Sequence, residues 1–214
     1  MPQNRLTSHP ELIKALSCLD DQDVDLANAR KTHGDPPDRF EPATFSSLVR
    51  IIVGQQISRQ VAVVLWTRLQ TKGWLETETL ALLDYENLQT VGLSRRKAEY
   101  IIDLARAEAN GALDLIRLNK QPAKQFSAKM LEFRGIGNWT VSNYRLFCLA
   151  DFNAWPGNDL ALMEAVKRLK TLAKRPTHGE MDYFACQWQP YRGAAALLLW
   201  HLYSCLSKNG EPTA

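Results

Sequence analysis

Asp159 is the carboxylate whose position in the chain suggests chemistry. It follows the turn Trp155-Pro156-Gly157-Asn158 and precedes apolar residues at helical spacing, from Leu160 to Leu169. This order predicts that Asp159 lies at a helix N-terminus, where Asp is a preferred capping residue. A carboxylate that accepts backbone N–H groups stays ionised, and such a group can stabilise an oxocarbenium-like transition state when a glycosidic bond breaks. A plain N-cap role is the alternative, and both roles can hold together.

A second candidate feature is a pair of glycines around one apolar residue, Gly135-Ile136-Gly137, just before a new run of helical spacing that includes Val141 and Tyr144. Glycine permits a positive φ, and the N–H groups at the start of the next helix form an anion site. The pattern predicts a helix–hairpin–helix turn able to hold a DNA phosphate. Two glycines alone are more typical of a plain C-cap glycine and a tight interhelical turn.

The elements that would hold these residues all have helical periodicity, and strand-like alternation is essentially absent. The apolar positions repeat at spacings of three and four residues in Phe45–Ile52, Val61–Leu69, Ala98–Ala105 and Leu160–Leu169. Gly193 to Tyr203 is apolar almost all round, which predicts a central buried helix. Short connections between many helices predict an all-α fold.

Composition limits the classes of protein. The 214 residues are 45% hydrophobic, enough for a sizeable core, and the net charge of +3 is too small to indicate nucleic acid by itself. The basic run Arg95-Arg96-Lys97 is typical of a solvated helix face. The four cysteines form no CxxC pair, and we find no signal-peptide pattern or membrane span. We therefore expect reduced thiols and an intracellular protein, in the cytoplasm or nucleoid of a bacterium or the nucleus of a eukaryote.

The motifs in their order resemble the helix–hairpin–helix DNA glycosylase superfamily (HhH-GPD), and within it the 3-methyladenine DNA glycosylase II branch. The resemblance runs from about Phe45 to Trp200 and is carried by Ile52-Val53-Gly54-Gln55-Gln56-Ile57-Ser58, Gly92-Leu93 with Arg96-Lys97-Ala98, Gly135-Ile136-Gly137-Asn138-Trp139-Thr140, Pro156-Gly157-Asn158-Asp159-Leu160 and Trp188-Gln189-Pro190-Tyr191-Arg192-Gly193.

This resemblance implies a two-lobed helical fold with the active-site cleft between the lobes. We expect residues 1–42 to pack with the C-terminal lobe at 151–214, and a central lobe at 43–150 to end in the helix–hairpin–helix at about 130–145. Residues 1–42 are too few for the separate N-terminal β domain of some members. The role of residues 1–42 is left open.

The resemblance also assigns roles to residues. Asp159 becomes the catalytic aspartate, and the phosphate-binding hairpin comprises Gly135, Ile136, Gly137 and Thr140. Trp139 and Trp200 match pocket tryptophans, which suit a cationic base because aromatic faces attract both bases and cations. Asn143 is a further pocket candidate, although a member of the branch has an aromatic residue there.

The family places its DNA wedge in the Gly-Gln-Gln-Ile-Ser segment, which makes Gln56 the candidate and Ile57 the fallback. A wedge fills the gap left when a damaged nucleotide leaves the duplex. The alternative is that Gln55 and Gln56 hydrogen-bond across the lobes.

The expected activity is monofunctional excision of alkylated purines, of the 3-methyladenine and 7-methylguanine type, from double-stranded DNA. Members that also cut the strand have a lysine where this chain has Trp139, and the nearest lysine, Lys129, lies upstream of the turn. We expect no cofactor, no metal, no membrane association and a monomer. Three alternatives stay open: a glycosylase for deaminated or oxidised bases such as hypoxanthine, a noncatalytic DNA-binding protein, and a helical scaffold without salt-dependent DNA binding.

Overall fold

The computed structural model describes residues 10–208, and every regular element in this part of the chain is a helix. The prediction of an all-α fold is confirmed. The helices are α1 (Pro10–Gln22), α2 (Val24–His33), α3 (Phe45–Gly54), α4 (Arg59–Thr71), α5 (Thr77–Leu82), α6 (Tyr85–Thr90), α7 (Arg95–Ala109), α8 (Leu115–Leu118), α9 (Ala123–Met130), α10 (Asn138–Leu149), α11 (Leu160–Leu169), α12 (His178–Cys186) and α13 (Arg192–Lys208).

The helices form two compact units. Among the described residues, one unit comprises 10–40 and 150–208, so it combines segments far apart in the chain, and the other is the continuous segment Glu41–Leu149. We call them the terminal unit and the central unit.

In the central unit, α3 packs against α4, α7 and α10, while α5 and α6 pack against α7. The apolar stripe expected at Phe45–Ile52 is the buried face of α3, since Leu48, Val49 and Ile52 are fully buried. Phe126 of α9 stacks on Tyr144 of α10, with ring centroids 5.6 Å apart. This core fixes the ends of α3, α7 and α10, where the candidate site residues lie.

In the terminal unit, α13 is the central helix, and α1, α2 and α11 pack against it. Its residues from Ala194 to Trp200 are all buried, which confirms the expectation of a helix covered on most sides. Within residues 10–208, no helix combines the length and the apolar character that a membrane span needs.

Candidate active site

Asp159 is the N-cap of α11, as the sequence predicts. Its Oδ1 accepts hydrogen bonds from the backbone N–H groups of Ala161 at 2.9 Å and Leu162 at 3.0 Å. Both donors belong to the first turn of α11, whose helix dipole also favours a negative charge. Local sequence therefore produces an anchored carboxylate, which is only partly buried.

Trp200 of α13 is the third donor to the same oxygen. Its indole Nε1 lies 3.1 Å from Asp159 Oδ1. Three N–H groups converging on one oxygen fix the orientation of the carboxylate. Trp200 is 9% exposed, so its ring is held by the core of the terminal unit.

The turn ahead of Asp159 is shaped by Gly157. A Cβ at Gly157 would lie 2.3 Å from Trp155 Nε1, far inside contact distance. Trp155 in turn meets Trp188 edge-on, with ring centroids 5.6 Å apart. The Pro-Gly turn is therefore tightly packed against Trp155, which Trp188 contacts from behind, and this gives α11 a defined starting point.

The glycine turn of the central unit joins α9 to α10. Gly135 has a φ of 87°, and a Cβ there would lie 2.3 Å from ring atoms of Tyr100, so glycine is needed for both backbone and space. Ile136 is 6% exposed, and nothing lies within 4 Å of a Cβ built on Gly137. The turn thus has an anchored side at Gly135 and Ile136 and an open side at Gly137, where α10 begins.

Thr140 has a buried side chain, 2% exposed, rather than one that faces solvent. Its Oγ1 accepts a hydrogen bond at 2.8 Å from Gln55 Nε2, which also donates to the Gly135 carbonyl at 3.0 Å. Gln55 therefore bonds to the glycine turn within the central unit. The alternative that the sequence offers for Gln55, a bond across the lobes, does not predict this contact with the hairpin.

Lys97 is a second residue whose role the sequence did not indicate. Its Nζ donates to the carbonyls of Val53, at 2.9 Å, and Gln55, at the C-terminal end of α3. Burial lowers the pKa of Lys97. The expected solvated face of the basic run therefore excludes Lys97, while Arg95 and Arg96 are exposed.

Residues 55–58 connect α3 to α4 and contain both wedge candidates. Gln56 has a φ of 55°, an uncommon conformation for a residue other than glycine, and its side chain is exposed. Ile57 is partly buried and packs against the core of the central unit. Of the two candidates, Gln56 has the side chain that is accessible to a partner.

Trp139 and Asn143 occupy successive turns of α10. Trp139 is partly exposed, whereas Asn143 is 4% exposed and its Nδ2 donates to the Trp139 carbonyl at 2.7 Å. This bond commits the Asn143 amide to its own helix. The pocket role of Asn143 stays a prediction.

A pair of arginines lies beside the glycine turn. Arg95 and Arg134 both pair with Glu99, at 3.0 and 3.3 Å, and each covers a tyrosine ring, Tyr85 and Tyr100 respectively. The hydrogen bond from Arg95 and the charge of Arg134 lower the pKa of Glu99. Both guanidinium groups are thereby oriented while their side chains remain more than 60% exposed.

The site residues thus fall into two groups. Asp159 and Trp200 are in direct contact in the terminal unit. The central unit contains the hairpin with Gln55 and Thr140, and the Trp139–Asn143 pair on α10. Within the described residues, no group of three or more His, Cys, Asp or Glu side chains could hold a metal ion.

The family model described as HhH-GPD superfamily base excision DNA repair protein matches residues 49–190 of this chain. The matched segment contains the α3–α4 turn, the glycine turn and the Asp159 turn. This chain belongs to the HhH-GPD superfamily.

Two proteins of Bacillus subtilis are similar to this chain over about three quarters of its length. The YfjP protein of Bacillus subtilis, provisionally assigned as a DNA-3-methyladenine glycosylase, is 34% identical over 78% of this chain and 62% of its own length. A DNA-3-methyladenine glycosylase of the same organism is 28% identical over 75% of this chain and 57% of its own length. The chain thus spans about three fifths of these relatives.

Solved HhH-GPD structures have the same fold. The 3-methyladenine DNA glycosylase of Schizosaccharomyces pombe, in complex with abasic DNA, superimposes with a TM-score of 0.82 at 23% identity, covering 91% of this chain and 97% of that one. The DNA-3-methyladenine glycosidase of Bacillus halodurans gives a TM-score of 0.71 at 27% identity, covering 94% and 93%.

Proposed function

We propose that this chain is a monofunctional DNA glycosylase that excises alkylated purines of the 3-methyladenine and 7-methylguanine type from double-stranded DNA and leaves an abasic site. The observation that carries the proposal is the Asp159 carboxylate, held by three N–H donors in a chain of the HhH-GPD superfamily. The names of the Bacillus subtilis relatives support the choice of substrate.

The chemistry requires a stabilised positive charge on the sugar. When the bond between C1′ and the base nitrogen breaks, its electron pair neutralises the cationic purine and leaves an oxocarbenium-like sugar. Ionised Asp159 stabilises that charge, and water adds to C1′ with loss of a proton. Because the carboxylate is already oriented, little reorganisation is needed during the reaction.

Recognition of the base rests on its charge. Alkylation at a ring nitrogen makes the purine cationic, so an aromatic face attracts it through stacking and through the cation. We assign this role to Trp139 and Trp200, with Asn143 holding the α10 turn behind Trp139 through its bond to the Trp139 carbonyl. A neutral base gains less from the same faces.

Hydrolysis by water follows from the residue at position 139. A Schiff base to the sugar needs an amine, and an indole cannot supply one. The nearest lysine upstream, Lys129, is paired with Glu132 at 2.8 Å. We therefore expect intact strands with abasic sites.

Contact with DNA is assigned to two turns of the central unit. The open side of the glycine turn, at Gly137 and the start of α10, gives N–H groups to a backbone phosphate. Gln56 enters the base stack after the damaged nucleotide leaves it. The protein acts as a monomer in this proposal.

The test measures release of free 3-methyladenine and 7-methylguanine from methylated duplex DNA. The wild type should release both, and Asp159→Asn should reduce release on the order of 100-fold or more while still binding DNA. Asp182→Asn, the same change at an exposed residue of α12, is the matched control. Product strands should remain unbroken until alkali is added.

Three results would contradict the proposal. Equal release by the wild type and Asp159→Asn would remove Asp159 from the reaction. No release by the wild type would reject alkylated purines as substrates, and the same assay with hypoxanthine-containing duplexes would then test the deaminated-base alternative. Strand breaks before alkali would reject the monofunctional assignment.

A further inference from the structure

The α3–α4 turn and the glycine turn are far apart in sequence but joined by one side chain. Gln55 lies 80 residues before Gly135 and 85 before Thr140, and its Nε2 donates to both, at 3.0 and 2.8 Å. One acceptor is the carbonyl of the turn, and the other is the side chain of the first turn of α10. Gln55 therefore fixes both halves of the helix–hairpin–helix turn.

Lys97 also bonds to Gln55. Its Nζ bonds to the backbone carbonyls of Val53 and Gln55, which a helix end leaves without helical partners. The side chain is partly buried, and this burial lowers the pKa of Lys97. Hydrogen bonds of a partly buried group are stronger than at a wet surface.

The residue controlled by this arrangement is Gln56. It follows Gln55 directly and has a left-handed φ of 55°. A residue other than glycine keeps such a conformation only when its neighbours impose it. Gln55 on one side and Ile57, packed on the core, on the other are those neighbours.

We propose that Gln55 and Lys97 are positioning residues that lock the exposed Gln56 turn to the glycine turn, so that the wedge and the phosphate-binding hairpin act on DNA as one rigid body. This inference rests on the proposed function, because the two turns contact DNA only there. The distance between Gln56 and the phosphate-binding hairpin is then already fixed in the protein before it binds DNA. Binding of the phosphate places Gln56 at a defined step of the duplex without any rearrangement.

The first experiment needs no DNA. Hydrogen exchange of backbone amides is compared between wild type, Gln55→Met, Lys97→Met and the matched control Gln70→Met, an exposed glutamine of α4. In Gln55→Met we expect exchange at residues 55–58 and 135–140 to rise together by roughly tenfold, the effect of losing one or two internal hydrogen bonds. Exchange in α5 and α6 should not change.

The second experiment measures the insertion of Gln56 into the base stack. 2-Aminopurine is placed beside an abasic-site analogue in a duplex, where its fluorescence rises when a side chain unstacks it. At saturating protein, wild type and Gln70→Met should give the full rise. Gln55→Met and Lys97→Met should lose at least half of it, as Gln56→Ala does, with DNA affinity lowered less than about threefold.

The outcomes separate this inference from the proposed function. If wild type leaves the 2-aminopurine signal unchanged, the proposed function fails, and hydrogen exchange still decides whether the two turns are locked together. Exchange that rises in only one of the two turns, or uniformly over residues 41–149, overturns the inference. A full fluorescence rise with Gln55→Met overturns it as well.

Discussion

At the scale of single residues, two aspartates of the terminal unit have nearly the same bonding. Asp23 caps α2, as Asp159 caps α11, and each accepts two first-turn N–H groups and one indole Nε1. Asp23, however, is 6% exposed and bonds to Lys170 through both oxygens, at 2.8 Å each. The same capping motif therefore gives a buried ion pair at Asp23 and a partly exposed carboxylate at Asp159. The difference in exposure decides which of the two aspartates is accessible to a substrate.

The hydrogen bond from Trp200 to Asp159 can be tested alone. Trp200→Phe keeps an aromatic face for the base and removes the Nε1 donor. A hydrogen bond to a charged group contributes about 1.5–3 kcal/mol, so we expect kcat for base release to fall roughly tenfold or more, with KM nearly unchanged. Single-turnover and steady-state release assays on methylated DNA measure both constants.

Trp66→Phe is the control for that prediction, because Trp66 lies in the central unit and packs against its core. It should change neither constant by more than about twofold. If Trp200→Phe instead raises KM and preserves kcat, the ring acts in base binding alone and the hydrogen bond does not contribute to the chemistry.

The sequence predicts the position of Asp159 better than its contact with Trp200. The Pro-Gly turn and the apolar run after it identify Asp159 as a helix cap, because capping depends on adjacent residues. The bond to Trp200 joins residues 41 positions apart on different helices, and no local pattern contains it. Trp200 was expected in the base pocket through resemblance, and its contact with Asp159 came only from the structure.

At the scale of elements, the two glycines of the hairpin should respond differently to the same substitution. Gly135→Ala introduces a left-handed alanine and a Cβ 2.3 Å from the Tyr100 ring, so we expect a loss of about 3 kcal/mol in the free energy of unfolding. Gly137→Ala meets nothing within 4 Å in the protein and should cost under about 1 kcal/mol. Urea unfolding of both variants measures this contrast.

Gly137→Ala should instead weaken DNA binding by about tenfold or more, because its methyl group would occupy the space of the phosphate. Fluorescence anisotropy with a duplex containing an abasic-site analogue measures the affinity. Wild-type affinity in Gly137→Ala would show that the open side of the turn does not bind phosphate.

Arg134 gives a prediction about the salt dependence of binding. It directly precedes the hairpin and is oriented by Glu99 and Tyr100. If it contacts one phosphate, Arg134→Ala should reduce the slope of log K against log salt by roughly 0.9. Arg117→Ala removes the same charge from the exposed face of α8, and an equal change of slope there would mean that only overall charge matters.

The helices themselves could be predicted because their apolar residues recur at spacings of three and four within a short stretch of sequence. The expected runs at Phe45–Ile52, Ala98–Ala105 and Leu160–Leu169 all lie within observed helices. The polar links between helices could not be predicted in the same way. The sequence places Lys97 on a solvated helix face and gives Gln55 a bond across the lobes as an alternative, since the distant acceptors of both side chains are known only from the fold.

At the scale of the whole molecule, the terminal unit is built from segments at opposite ends of the chain. Lys170, after α11, bonds to Asp23 and also to Asp25 at 2.7 Å, while Trp188 Nε1 donates to Asp23 Oδ2 at 2.8 Å. These partners are separated by 145 to 165 residues. Resemblance led us to expect that residues 1–42 pack with the C-terminal part, but the ion pair between them has no signature in local sequence.

Asp23 should therefore control the stability of the protein as a function of pH. Burial acts to raise the pKa of Asp23, but the hydrogen bonds from Lys170 and Trp188 outweigh it and lower the pKa below its usual value of 3.8. A carboxyl group with a lowered folded-state pKa stabilises the fold above its unfolded-state pKa, and this contribution is lost as pH falls through the folded-state value. The affected window is thus pH 4 and below.

Asp23→Asn tests this contribution. It leaves Lys170 without its buried partner, so we expect about 3 kcal/mol lower stability at pH 7. Below pH 4 the difference from wild type should shrink, because Asp23 of the unfolded wild type is protonated there, and it should shrink further as the pH falls through the lowered folded-state pKa of Asp23. Urea unfolding from pH 3 to pH 7 measures both variants, with Asp182→Asn as the exposed control. A difference that stays constant over this range would mean that Asp23 acts through its shape as a helix cap, and that its charge does not hold the two ends of the chain together.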